Sequence, residues 1–178
     1  MSTTQDIPHS IFMLLSLESI KYILSKKLEP KEQKSQIEEI GIHLGERSAN
    51  HLMNTKPIPQ TKSKNEDSDC SLAINFLSDQ VWTFVFGNQI KKTTHNGKGL
   101  YTIEDHDILL HHYLRSERDN RDEDKLDCIV WFICGIIKGV LLSFNYSCTI
   151  ETEIKANDPS TGKSLYSFTI KFLNVDFK

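Results

Sequence analysis

The sequence contains no apolar run long enough to cross a bilayer. Its most apolar stretch, 128–137, stops at Lys138, well short of the roughly 20 residues a spanning helix needs. Neither sign of charge dominates. Lys and Arg total 21 against 24 Asp and Glu, a formal net charge of -3. No basic stripe interleaved with aromatics appears, so there is no electrostatic case for nucleic acid. No CxxC pair occurs among Cys70, Cys128, Cys134 and Cys148. Three of these stand in apolar runs, where a free thiol packs as a small hydrophobe. That usage points to a reducing compartment. The early apolar stretch "IFMLLSL" follows Asp6 and no basic residue, which makes it a poor signal peptide.

The motifs of common catalysts are missing too. There is no Gly-rich phosphate loop and no GxSxG elbow. His43 and His51 stand outside any HExxH frame. His111 and His112 are adjacent in an expected strand, so they point to opposite faces and cannot share a metal. The acidic run 119–127 lacks the central glycine of a calcium loop. No carboxylate is placed by pattern in an apolar pocket that would tune its pKa. The expectation is a chain with no catalytic residue, no metal site and no cofactor.

What is present is a periodic apolar pattern over 178 residues, enough for one domain spanning 1–178. Met13, Leu17, Ile20, Leu24 and Leu28 recur at helical spacing. Ile11, Phe12, Leu14, Leu15 and Ile23 lie off that stripe. The first half of this helix is apolar nearly all round, whereas a surface helix needs only one stripe. Either its own domain buries it, or it is shared between that core and a partner. Pro30 suits the first turn of a second helix. The segments 54–69 and 115–125 read as a flexible polar loop and a charged loop. Cys70, Ala73, Ile74, Leu77, Val81, Phe84 and Val85 share one face of a third helix. Trp82 and Phe86 add a second, and Gly87 ends it. After a turn cluster at 94–99, the runs "LYTIE" and "ILLHHYL" read as a hairpin. The stretch 126–145 is a buried helix. Cys148, Ile150, Thr152 and Ile154 alternate, then Tyr166, Phe168, Ile170 and Phe172, a second hairpin with one buried face. The predicted class is α+β, in the order helix-helix-helix-hairpin-helix-hairpin. The helices pack on one side of a small antiparallel sheet made of two hairpins.

Two helices carry glycine pairs: Gly41 with Gly45, and Gly135 with Gly139. Glycine inside a helix costs up to about 1 kcal/mol relative to alanine. At i and i+4 the pair makes a bare patch on one face. The pairs are predicted to seat a neighbouring helix closely, or each other.

Three stretches resemble the small subunits of TRAPP, the transport protein particle. "GIHLGER" resembles that family's G-x-x-x-G-x-R element. "FLSDQVWTFVFGNQI" is similar to its aromatic third helix, and "LDCIVWFICGIIKGVLL" to its last helix. The "LDC" entry and the early opening helix are most similar to subunit five, and "FGNQIKK" is similar to subunit six. The resemblance implies a non-catalytic subunit of a vesicle-tethering and Rab nucleotide-exchange complex in ER-to-Golgi transport. It implies pairing with a paralogue of the subunit-three branch through the first helices, with Met13, Leu17, Ile20 and Leu24 at the interface. It also implies contact with a sedlin-like subunit two, and a peripheral place on Golgi and ER membranes through the complex only. In the subunit-three branch a cysteine before the third helix carries an acyl chain. Cys70 lies near that position, so it is either a lipidation candidate or an ordinary thiol. The alternative reading is a module that binds a small hydrophobic ligand or acyl chain.

Overall fold

The computed structural model describes residues 9–26, 28–55, 66–96, 99–106, 122–155 and 164–173. The apolar periodicities become helices α1 (His9–Ser25), α2 (Pro30–Thr55), α3 (Glu66–Phe76), α4 (Trp82–Phe86) and α5 (Asp122–Leu142). A π-helical turn, Leu77–Val81, joins α3 to α4. The alternating segments become β1 (Lys92–His95), β2 (Leu100–Asp105), β3 (Ser147–Lys155) and β4 (Leu165–Leu173). The strands form one sheet in the order β1-β2-β4-β3, with every neighbour antiparallel. The α+β arrangement and the order of its elements are those expected from sequence.

Alternation decides which side of the sheet meets the helices. Tyr101 and Ile103 of β2, with Tyr166, Phe168, Ile170 and Phe172 of β4, are buried. Ile103 opposes Phe168 and Tyr101 opposes Ile170, while Ile150 of β3 opposes Ile170 from the other side. The other face is polar. Thr102 and Thr169 oppose each other there, with their hydroxyls 3.2 Å apart. Against the apolar face lies α5, buried from Cys128 to Val130 and from Phe132 to Ile137, and again at Val140 and Leu141. A helix covered on nearly all sides must be apolar all round, which explains why this element is the most apolar in the chain.

The π turn settles the two faces of the third helix. Trp82 N–H bonds to the Leu77 carbonyl, five residues back. The wider turn slips the helical frame. Leu77 and Val81 on one apparent face, and Trp82 and Phe86 on the other, are all buried in the same core. Gly87, at φ 76°, closes α4 through its N–H to the Thr83 carbonyl at 3.0 Å. That left-handed position favours glycine.

Three boundaries depart from the expectation. The first hairpin is β1 with β2, in register Lys92↔Glu104 to His95↔Tyr101. The turn cluster lies inside it. Both edges of β2 are taken, by β1 and by β4, so "LYTIE" does not hairpin with 108–114, which lies outside the described residues. β1 was invisible because all four of its residues are exposed, leaving no alternation to read. Second, α2 runs to Thr55 and α3 starts at Glu66, so the loop read at 54–69 is helical at both ends. Third, α5 begins at Asp122, inside the charged segment 115–125. Acidic residues are favoured in a first helical turn.

One buried carboxylate was not expected. Asp105 continues the inward positions of Tyr101 and Ile103 and is fully buried. Trp82 Nε1 donates to its Oδ2 at 2.8 Å, and Asn88 Nδ2 does so at 3.4 Å. The His106 backbone N–H donates to Oδ1 at 2.8 Å. This network ties the end of β2 to α4. Leaving a buried acceptor without its donor costs about 1–3 kcal/mol. Trp82→Phe keeps most of the ring but removes that donor. It is expected to lower unfolding stability by about that amount, read from urea melts. An unchanged midpoint would show that the bond adds nothing.

Candidate interaction site

The α1 helix has two faces with different fates. Ser16, Leu17, Ile20 and Ile23 are buried, and Leu24 is half-buried against the core. On the opposite face Leu14 is 48% exposed, Leu15 61% and Tyr22 64%. Leu15 and Tyr22 are seven positions apart in sequence, which is two helical turns, so they share one stripe. The serines beside them do not interrupt it. Ser19 Oγ donates to the Leu15 carbonyl at 2.9 Å, and Ser25 Oγ to the Tyr22 carbonyl at 2.7 Å. Hydroxyls satisfied within the helix can be covered without losing water as their partner. Lys26 Nζ sits 4.3 Å from the Tyr22 ring centroid, a cation–π contact at the edge of the stripe. Glu18 and Lys21 pair at 3.3 Å.

This geometry corrects the interface that the resemblance implied at Leu17 and Ile20. Leu17 and Ile20 are 2% and 0% exposed. They serve the chain's own core and are not available to a partner. The side chain of Met13 lies outside the described residues. Leu14 and Leu15, which fell off the stripe, are exposed, whereas Ile23, also off it, is buried. With apolar residues all round the helix, periodicity alone could not say which side turned inward.

The glycines meet one another. A Cβ built on Gly41 would lie 3.0 Å from the Gly135 Cα and closer still to the Phe132 carbonyl oxygen. One on Gly135 would lie 2.9 Å from the Gly41 Cα and clash with the Glu38 carbonyl. Gly45 abuts the backbone of Ile136, and Gly139 that of Ile42. The two bare patches therefore form the α2–α5 crossing, backbone against backbone. Lys138 Nζ donates to Glu38 Oε1 across the same crossing. Because the patches cover each other, neither is a surface for another chain.

Cys70, Cys128 and Cys134 are buried free thiols, and Cys148 is a half-buried one. Cys70 is fully buried near the start of α3. Its sulfur is not reachable from solvent in this conformation. Burial pushes the Cys134 thiol up to about 12, with Glu38 adding to the effect and Lys138 opposing it. Burial likewise pushes Cys148 up to about 11. An ordinary thiol titrates at 9.0. Above that pH the unfolded chain binds fewer protons than the folded one, so stability falls as pH rises. The contribution is intact below pH 9 and erodes towards about 12. Between pH 8 and pH 10.5, the urea midpoint is expected to drop more for the native sequence than for Cys134→Ala. Parallel pH profiles would count against it.

His43 is exposed between Glu39 and Glu46, at 4.0 and 3.9 Å. His111 and His112 lie outside the described residues. Among the described residues no group of three or more His, Cys, Asp and Glu side chains is placed to hold a metal ion. No described helix is long and apolar enough to cross a membrane. What the arrangement offers is a helix face suited to docking.

The chain is similar to known proteins of one family. The family model described as "Transport protein particle (TRAPP) component" matches residues 12–173. The chain is 23% identical over 148 residues to trafficking protein particle complex subunit 6b of Danio rerio, covering 82% of this chain and 88% of that one. A trafficking protein particle complex subunit 3 from Naegleria fowleri, solved covalently bound to palmitic acid, superposes with a TM-score of 0.68. That match has 15% identity and covers 96% of this chain and 100% of the other. At that identity the likeness is one of fold.

Proposed function

The chain belongs to the transport protein particle (TRAPP) component family, and from that premise we propose that it is a non-catalytic structural subunit that pairs with a paralogue through the exposed face of α1. The observation that carries the proposal is the stripe of Leu14, Leu15 and Tyr22, left open on a helix whose other face is built into the core. An apolar face of this kind gains free energy when a partner covers it. The partner is a subunit of the subunit-three branch. The assembled complex tethers vesicles between ER and Golgi and acts as an exchange factor for a Rab GTPase, and this chain also contacts a sedlin-like subunit two. Its place is cytoplasmic, at Golgi and ER membranes through the complex. The subunit 6b match supports the subunit-six branch, and the "LDC" opening of α5 supports subunit five.

Co-expression with a subunit-three paralogue from the same cell tests this. Native mass spectrometry is expected to show a one-to-one heterodimer. A lone chain at micromolar concentration of both partners would overturn it. The second reading, a module holding an acyl chain, draws on the palmitate in the structural relative and on the enclosed Cys70 thiol. It predicts a covalent fatty-acyl mass on the chain that Cys70→Ser removes.

A further inference from the structure

We draw no further inference here: the strongest candidate, the Cys134 and Cys148 thiols at the α5–β3 junction, rests on the raised titration of two protected thiols alone, with no geometry beside it that points to a ligand.

Discussion

Gly139→Ala is expected to destabilise the fold by about 3 kcal/mol, although alanine is the better helix former by up to about 1 kcal/mol. The new methyl would lie 2.9 Å from the Ile42 carbonyl carbon and 3.0 Å from the Glu46 nitrogen, and closer still to the Ile42 oxygen. Those are backbone atoms inside α2 and cannot swing aside as a side chain would. Relief requires the two helices to part. Overpacking costs about 1–3 kcal/mol, occasionally more, and a rigid backbone neighbour puts this site at the upper end. Sequence alone suggests that one methyl is partly accommodated, and the crossing removes that expectation. Gly139→Leu should be worse. Gly41→Ala and Gly135→Ala are expected to be strongly non-additive. Each new methyl would press on the other residue's Cα, and once one has parted the helices the second meets less resistance. Urea melts of the single and double variants decide the matter. A Gly139→Ala chain within 0.5 kcal/mol of the parent would mean that the crossing is looser than described.

Leu17→Asp and Leu15→Asp, two positions apart on α1, should fail in opposite ways. Leu17 is 2% exposed. An aspartate there loses the apolar burial and places a carboxylate in the core without a partner. Each cost is several kcal/mol, enough to exhaust the roughly 5–15 kcal/mol that holds a typical domain together. The expected result is an insoluble or unfolded chain. Leu15 is 61% exposed. An aspartate there faces water in the lone chain and should change stability by about 0.5 kcal/mol or less. In the proposed heterodimer the same carboxylate would be pressed into an apolar contact. Loss of about 2 kcal/mol, the threshold of an interface hot spot, weakens association about 30-fold. The readouts are the thermal midpoint of the free chain and its affinity for the subunit-three paralogue. Parental affinity in Leu15→Asp would sink the docking assignment for this face. Tyr22→Asp provides the same contrast from the next turns of the stripe.

The pair also shows where sequence reasoning reached its end. Periodicity identifies a surface by contrast between apolar and polar positions. It succeeded for β4, where Tyr166, Phe168, Ile170 and Phe172 alternate with smaller and polar residues. It succeeded for α2, whose outer face carries Glu39, His43 and Arg47. Over 11–24 that contrast is weak, so the pattern found a helix but not its orientation. The same limit hid β1, whose Lys, Thr, Thr and His have no inward side to mark. The π turn left a trace, two overlapping apolar faces at Leu77 and Trp82. The wider turn at Leu77–Val81 accompanies the burial of both. Asp105 left none that pattern reading uses. Its neighbours on the inward side are apolar, and only the packed structure supplies the indole N–H that makes its burial tolerable.

The α2–α5 crossing also governs when this chain can fold. Glu38 and Lys138, which meet across it, are 100 residues apart. The central strand pair has a similar reach, with Thr102 and Thr169 separated by 67 residues. Loops of that size must close before these contacts return any free energy, and such topologies fold slowly. On a ribosome that adds about 5–20 residues per second, α2 emerges with its glycine face bare and must wait several seconds for α5. Throughout that interval the surfaces destined for the core lie open beside the exposed apolar face of α1. A nascent chain in this state is exposed to wrong association with other unfinished chains.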